Sequence, residues 1–292
     1  MRHWHVLAPF YCIGFLVNVC VGLLWSPSRP PAAATRVRLR MSTRASLLSR
    51  DSDVEIQVIS DFACPWCYVG KARLNAAIQA FERSRDPDGD PPSTGRVHVS
   101  FSPYMIDTRT QPQGEEYLAY NERRWGGDGW TSSLKRRSSR KDGCEFAKWV
   151  TWPNSLLAHR LQKLADKAGK GDQVNSLVFQ TIYERGGNAS DVETLVALAA
   201  EAGLPSTDAR AYLSSSEGEE EVLREDNLAK TELGVRGVPF FVVRRAATRD
   251  GGQNSAESTL GSGASDGERK VVLNGAVAPG ELLGAFESVS RR

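Results

Sequence analysis

Cys64 and Cys67 stand two residues apart in the segment DFACPWCYVGKARL, residues 61–74. Two cysteines at this spacing can form a redox-active disulfide, half of a metal site or a structural cross-link. A closed metal site needs more ligands, yet the sequence holds no second CxxC and, outside its N-terminal segment, no pair of nearby histidines. A structural bridge over so short a loop removes little chain entropy. The pattern therefore favours a redox disulfide and predicts no metal site, with a structural bridge or two ordinary buried thiols as the alternative.

The segments on both sides of the CxxC indicate its place in the fold. VEIQVIS, residues 54–60, alternates apolar and polar residues and is rich in β-branched types, which predicts a strand. After the motif, apolar residues recur at helical spacing through residues 69–81, until the turn sequence DPDG at residues 86–89 ends the pattern. The CxxC is therefore expected to open a helix at the end of a strand.

This placement predicts different roles for the two thiols. A cysteine at a helix start faces unpaired N–H groups and the positive end of the helix dipole, which favour its thiolate. Cys64 is expected to be the nucleophile, and Cys67, one helical turn further, is expected to be the resolving thiol. Pro65 suits the first turn, where its missing N–H leaves no hydrogen bond unmade. Trp66 adds no charge beside the thiolate.

A second candidate segment lies far downstream in GVRGVPFFVV, residues 234–243. Pro239 stands at the entrance of a strongly apolar strand, a position where proline is tolerated. A cis Val238–Pro239 bond suits such an entry, although cis is the minority state of X–Pro bonds. A predicted helix precedes this strand at residues 225–234, and a predicted strand at residues 270–275 and a predicted helix at residues 279–289 follow it.

The order of these elements resembles that of the DsbA-like thioredoxin-fold oxidoreductases, and most closely their FrnE-like branch. The resemblance covers about residues 54–290. It is carried by DFACPWCYVGKARL, by PNSLLAHRLQKLA at residues 153–165, and by GVRGVPFFVV followed by NGAVAPGELL. It implies the α/β class and a thioredoxin-like fold with an inserted α-helical domain. The thioredoxin-like domain would span residues 51–103 and 217–292, and the helical insertion would span residues 104–216.

The resemblance also implies an activity, the exchange of a Cys64–Cys67 disulfide with protein or peptide thiols. A substrate thiolate would attack Cys64 and expel Cys67, and a second substrate thiol would resolve the mixed disulfide; the reverse sequence reduces a substrate. In such proteins the proline is cis and lies against the CxxC, so Val238, Pro239 and Trp66 are expected to bind the substrate. The resemblance implies no bound cofactor and a redox partner, for which glutathione is a candidate.

The middle segment contributes two supporting candidates. Asn154 and His159 match the family motif, and with Pro65 they are expected to support the site. This match makes His159 a candidate catalytic group. The alternative is a helix residue whose side chain is satisfied by a hydrogen bond in the core.

Relatives by fold leave two other functions open. Kappa-class glutathione transferases and 2-hydroxychromene-2-carboxylate isomerases bind glutathione and activate its thiol with a serine at the position of Cys64. A non-catalytic, chaperone-like binding module is the second alternative. The retention of both Cys64 and Cys67 beside the GVP segment argues against both.

Local patterns predict further features of the chain. Ser190 and Glu193 predict a capping box before the helix VETLVALAAEAGL. Residues 124–149 predict a Gly-rich, basic loop with solvated charges, in which Cys144 is a bystander thiol or forms a regulatory or intermolecular disulfide. Residues 246–268 are polar and small, which predicts a disordered hairpin extension between the last two strands.

The first fifty residues differ in composition from the rest of the chain. Residues 6–25 carry no charge and follow Arg2, as in a secretory signal or a signal anchor. Residues 35–50 are rich in Arg and Ser and free of acids, as in an organellar transit peptide. Residues 1–50 are therefore predicted to direct the protein into the secretory route or an organelle reached through it, such as a plastid. Translation from Met41 would instead predict a cytosolic protein.

The charge of the remaining body excludes one class of partner. Without residues 1–50 the chain holds 30 basic and 35 acidic residues, so nothing indicates a nucleic-acid binder. Contact with a membrane is expected only through an uncleaved leader. The expected partners are thiol-containing proteins or peptides.

Overall fold

The structure is a computed structural model that describes residues 54–85, 97–246 and 269–291. The predicted leader and residues 247–268 of the predicted hairpin extension lie outside the described residues. The elements are, in chain order, β1 Val54–Ser60, α1 Pro65–Arg85, β2 Val97–Pro103, β3 Glu115–Glu116, α2 Tyr117–Trp125, α3 Thr131–Asp142, β4 Thr151–Trp152, α4 Leu156–Lys167, α5 Gly171–Tyr183, α6 Val192–Glu201, α7 Ser206–Ser214, α8 Glu219–Thr231, β5 Phe240–Arg245, β6 Lys270–Asn274 and α9 Pro279–Ser290. Among these described helices, none combines the length and the apolar character that crossing a bilayer requires.

Four strands form a mixed sheet in the order β2-β1-β5-β6. Strand β1 pairs in parallel with β2, whereas β5 is antiparallel to both β1 and β6. Ile59 near the end of β1 pairs with Phe240 at the start of β5. The CxxC that follows β1 and the Pro239 that precedes β5 therefore lie at the same end of the sheet.

Helices cover both faces of this sheet. Ile56 of β1 packs with Leu74 of α1 and Phe286 of α9 in one buried cluster. Ile59 points to the opposite face and packs with Ala229 of α8. Burial of each such side chain stabilises the fold by about 1.5–3 kcal/mol. This arrangement confirms the predicted α/β class.

The helices α2 to α7 enclose a second apolar cluster that includes residues of the β1–α1 turn. Tyr68 of α1 stacks on Tyr183 of α5, with ring centroids 5.3 Å apart and an interplanar angle of 11°. The Tyr183 hydroxyl donates a hydrogen bond to the carbonyl oxygen of Phe62 at 3.1 Å. These contacts fix the start of α1 against the helices α2 to α7.

The prediction of a basic loop at residues 124–149 is wrong in part, because this segment contains α3. The helix buries one side, formed by Thr131, Leu134 and Ser138. Lys135 is not fully solvated either: its Nζ lies 4.7 Å from the ring centre of Tyr117 and 5.4 Å from that of Trp149. Packing of this side stabilises a helix whose sequence carries little apolar periodicity.

The predicted capping box at Ser190 and Glu193 is also wrong. Asp191 caps α6, because its Oδ2 accepts a hydrogen bond from the backbone N–H of Thr194 at 2.8 Å. The Ser190 hydroxyl instead accepts from the backbone N–H of Asn154 at 2.7 Å. A tertiary partner therefore engages the serine, and the next residue caps the helix.

Candidate active site

The CxxC opens α1 as predicted. The helix begins at Pro65, directly after Cys64, whose backbone N–H donates to the carbonyl oxygen of Asp61 at 3.1 Å. The carbonyl oxygen of Cys64 accepts from the N–H of Cys67 at 2.9 Å. This turn places both side chains at the N-terminal end of the helix. Trp66 between them is exposed.

Cys67 is buried beneath this end of the helix, with 1% of its surface exposed. Burial and, next, the neighbouring Cys64 sulfur raise the pKa of the Cys67 thiol well above its ordinary value. Two donors oppose this shift and lower the pKa: the backbone N–H of Asp61, 3.4 Å from Cys67 Sγ, and the Ser60 hydroxyl. Cys67 is therefore held in its protonated thiol form.

Cys64 faces the start of β5. Its thiol donates to the carbonyl oxygen of Val238, with 3.7 Å between Sγ and O. The Val238–Pro239 bond is cis, as the sequence led us to expect. The structure thus brings together four predicted site residues: Cys64, Cys67, Val238 and Pro239.

Gly70 permits this close approach, and the sequence analysis missed it. A Cβ added at residue 70 would lie 2.7 Å from Cγ of Pro239 and 3.4 Å from the Phe241 ring. Real Cβ contacts are not this short, so α1 needs glycine where it passes Pro239. A glycine inside the helical pattern YVGKARL was the available signal.

Asp61 is a second residue that the sequence analysis missed. Its side chain is buried in the β1–α1 turn, where Oδ1 accepts from the N–H of Ala63 at 3.1 Å and Oδ2 accepts from the N–H of Ile106 at 2.7 Å. The same residue donates its own N–H to Cys67. An acidic residue between an apolar strand and a CxxC was the signal.

His159 lies next to this carboxylate. Its Nε2 is 3.6 Å from Oδ1 of Asp61, and its ring centre is 5.0 Å from that of Phe62. The side chain is buried, and Nε2 has no hydrogen-bond partner among the described residues. The interpretation of His159 as satisfied by a core hydrogen bond therefore fails at Nε2.

Asn154 is placed differently. Its Nδ2 donates to the carbonyl oxygen of Thr110 at 2.9 Å, and its Oδ1 accepts from the N–H of Leu156 at 3.2 Å. These bonds fix the start of α4, which carries His159. Asn154 thus positions a helix and makes no hydrogen bond to the cysteines in the described part of the chain.

Cys144 is buried just after the end of α3. Burial and, after it, the nearby carboxylates of Asp142 and Glu184 raise the pKa of the Cys144 thiol to about 12. All three cysteines of the described residues are free thiols. Such a buried, protonated thiol favours the bystander interpretation of Cys144.

The described residues contain no group of three or more His, Cys, Asp or Glu side chains suited to a metal ion.

A comparison with protein families matches residues 55–266 to the DSBA-like thioredoxin domain. The chain belongs to this family. The match to the DSBA-like family includes the CPWC helix, the helices α2 to α8 and β5, so it confirms the predicted resemblance and the thioredoxin-like fold. Assignment to the FrnE-like branch stays a prediction.

Individual proteins agree with this assignment. The uncharacterized protein YwbO of Bacillus subtilis is 26% identical over 199 residues, which cover 65% of this chain and 86% of that protein. The probable DsbA oxidoreductase SCO1869 of Streptomyces coelicolor superposes with a TM-score of 0.61 at 24% identity, over 81% of this chain and 89% of that one. The cytosolic disulfide reductase DsbM of Pseudomonas aeruginosa gives a TM-score of 0.51 at 18% identity, over 81% and 95%. The chain is similar to these structures in fold.

Proposed function

We propose that this protein is a thiol:disulfide oxidoreductase that exchanges a Cys64–Cys67 disulfide with protein or peptide thiols. The observation that carries the proposal is the position of Cys64, at a helix start and 3.7 Å from the carbonyl oxygen of Val238, with Cys67 buried one turn below. In the oxidised enzyme, a substrate thiolate attacks Cys64 Sγ, the Cys64–Cys67 bond breaks, and Cys67 leaves and takes up a proton. A second substrate thiolate then displaces Cys64.

The contact with Val238 suggests how a peptide would be held. In the dithiol state the Val238 carbonyl accepts from the Cys64 thiol. Once Cys64 forms a mixed disulfide, it has no S–H to donate, and this carbonyl is released to accept an N–H from an extended substrate. The exposed ring of Trp66 offers an apolar surface beside the same sulfur.

The direction of exchange follows the reduction potentials of the partners. One similar structure is described as a probable DsbA oxidoreductase and another as a cytosolic disulfide reductase, so relatives with this fold are described in both terms. We propose that glutathione is a redox partner of the pair.

Trapping the mixed disulfide tests the proposal. The reduced Cys67→Ser variant is mixed with a peptide that contains one disulfide, and the adduct is mapped by mass spectrometry. We expect one peptide on Cys64, because the resolving thiol is missing. Cys67→Ser combined with Cys144→Ser serves as the matched control and should trap equally well, whereas Cys64→Ser should trap nothing. An adduct on Cys64→Ser as abundant as the adduct on Cys67→Ser would contradict the proposal.

The same proteins separate the alternative functions. A glutathione-dependent transferase or isomerase would form glutathione conjugates of an electrophile such as 1-chloro-2,4-dinitrobenzene in the Cys67→Ser variant, with no peptide adduct. A chaperone-like binding module would give neither product. We expect the peptide adduct alone.

A further inference from the structure

A small cavity lies beside the residues that precede the CxxC at the end of β1. It offers about 10 Å³ to the centre of a water molecule, which is the space of a single water. Its lining is formed by Ser60, Phe62, Phe101, Ser102, Pro103, His159, Gln162, Lys163 and Asn175. Two buried polar atoms of this lining, Nε2 of His159 and Oδ1 of Asn175, have no hydrogen-bond partner among the described residues.

Neighbouring hydrogen bonds fix the orientation of the two amides that line the cavity. Nε2 of Gln162 donates to Oδ1 of Asp166 at 2.8 Å and to the carbonyl oxygen of Gly171 at 3.1 Å, so its Oε1 is left to accept. That Oε1 accepts from Nδ2 of Asn175 at 3.3 Å. Oδ1 of Asn175 is therefore the unpartnered atom, and it requires a donor.

The serines of the lining complete the set of partners. The Ser102 hydroxyl accepts from Nε2 of Gln57 at 2.9 Å, and its own proton remains for another acceptor. Ser60 also lines the cavity, and its hydroxyl lowers the pKa of Cys67 by a hydrogen bond to the sulfur. A water has two protons for the two unpartnered acceptors and lone pairs for these hydroxyls.

We propose that this cavity holds one ordered water that connects Ser60 to His159 and Asn175, and that Ser60, this water and His159 carry the proton away from Cys67 during disulfide exchange. The inference rests on the proposed function. It assigns His159 as the group that accepts the proton, and Asn175 as the residue that positions the water.

In a mixed disulfide on Cys64, the Cys67 proton passes to the Ser60 oxygen while the Ser60 proton passes to the water, and a water proton passes to Nε2 of His159. The Cys67 thiolate then attacks Cys64 Sγ, the Cys64–Cys67 bond forms, and the peptide leaves as a thiolate. The enzyme loses two electrons and the peptide disulfide gains them.

The charges around the cavity support His159 as the acceptor. Lys163 of α4 is engaged by Glu225 of α8, with Nζ 2.5 and 2.6 Å from the two carboxylate oxygens. Asp61 from the β1–α1 turn places a carboxylate oxygen 3.6 Å from Nε2, where it would stabilise an imidazolium. The groups from β2 and α5, Ser102 and Asn175, are neutral.

The proton has an exit from this position. Three residues that line the cavity, Phe101, Ser102 and Lys163, also line an open groove of about 630 Å³ on the outer face of the sheet. This arrangement suits a relay in which His159 loses its proton to solvent after each turnover.

The test follows the two thiols released when the reduced enzyme meets a disulfide peptide in a stopped-flow mixer between pH 6 and pH 9. The first release reports attack by Cys64, and the second reports resolution by Cys67. In His159→Leu we expect resolution to slow by about a hundredfold or more at pH 7, the range that a lost general base costs. The rate of resolution in this variant should then rise tenfold per pH unit, because hydroxide must take the proton from Cys67. Attack by Cys64 should keep its wild-type rate.

Two further variants keep the test decisive if His159→Leu folds poorly. Asn175→Leu replaces the amide with an apolar group of similar size, and it should slow resolution without changing attack. Thr181→Val, a buried change on the same helix that does not line the cavity, is the matched control and should change neither rate. Equal slowing of both steps in His159→Leu and Asn175→Leu would give these residues a structural role and overturn the relay. Unchanged resolution would overturn it as well. An inert wild-type enzyme would instead refute the proposed function.

Discussion

The Cys64 thiol and the Val238 carbonyl oxygen form a hydrogen bond of 3.7 Å between residues 174 positions apart. The contact exists because β5 runs antiparallel to β1, so the residue before β5 meets the residue after β1. It joins the sulfur that we propose as the nucleophile to the backbone that we propose holds a peptide. The site is therefore a product of the sheet topology and not of the CxxC alone.

The first prediction concerns the order in which the thiols react. In the reduced protein at pH 6 to 7, iodoacetamide should label Cys64 at least tenfold faster than Cys67 or Cys144. Cys67 and Cys144 are 1% exposed against 7% for Cys64, and burial raises the pKa of both thiols, so neither forms much thiolate. Peptide mapping after short labelling gives the three rates. Equal labelling of the three thiols would contradict the assigned roles.

The second prediction concerns the contact between α1 and Pro239. In Gly70→Ala, the new Cβ must displace Pro239, so the free energy of unfolding should fall by about 1–3 kcal/mol. Peptide exchange should slow, because Val238 moves with Pro239. Urea unfolding and thiol-release kinetics measure the two effects.

Gly284→Ala is the matched control. Gly284 also lies inside a helix, α9, but a Cβ there meets nothing within 4 Å. Alanine should therefore stabilise the protein by about 0.5–1 kcal/mol through helix propensity and leave exchange unchanged. Equal changes in the free energy of unfolding and in the rate of exchange in both variants would show that Gly70 has no special role.

The third prediction concerns stability at alkaline pH. The folded pKa of Cys144 is raised to about 12 from an ordinary value near 9. Between these values the folded state keeps a proton that the unfolded state releases, so the free energy of unfolding falls as pH rises. From pH 8 to pH 10, reduced wild-type protein should lose about 1 kcal/mol more than Cys144→Ala. Parallel pH profiles in denaturant unfolding would show that Cys144 is not held as a thiol.

Elements with regular apolar spacing could be predicted from the sequence. Strand β1, helix α1 and the apolar strand after Pro239 all carry such patterns. Helix α3 was missed because its sequence, TSSLKRRSSRKD, is polar and depends on tertiary packing. The capping error at Ser190 has the same origin, because Asn154 engages the serine from a distant segment.

The residues of the candidate site also fall into two groups, those that a motif marks and those that depend on distant contacts. Cys64, Cys67 and Pro239 are marked by motifs, and their proximity follows from the fold of the family. The sequence marks Asp61 and Gly70 only as residues unusual for their places, because their contacts are distant: a carboxylate bonded to the Ile106 N–H, and a helix that passes within reach of Pro239. What each residue does becomes visible only in three dimensions.

The fourth prediction concerns the N-terminal segment. Residues 1–50 fused to a fluorescent reporter should direct it into the secretory route or an organelle reached through it, because an uncharged stretch precedes an Arg-rich, acid-free one. Fluorescence microscopy gives the location. The reporter with residues 41–50 alone is the control and should remain cytosolic. Cytosolic fluorescence from both fusions would favour translation from Met41.

A redox titration of residues 51–292 in glutathione buffers tests the central claim most directly. Thiols are counted after acid quenching across a range of reduced to oxidised glutathione ratios. We expect one two-electron transition that interconverts a Cys64–Cys67 disulfide and two thiols and is unchanged in Cys144→Ser. In Cys67→Ser the loss of two thiols should be replaced by the loss of one, as a glutathione adduct on Cys64. A protein that shows no transition, or a loss of two thiols that persists in Cys67→Ser, would contradict the account.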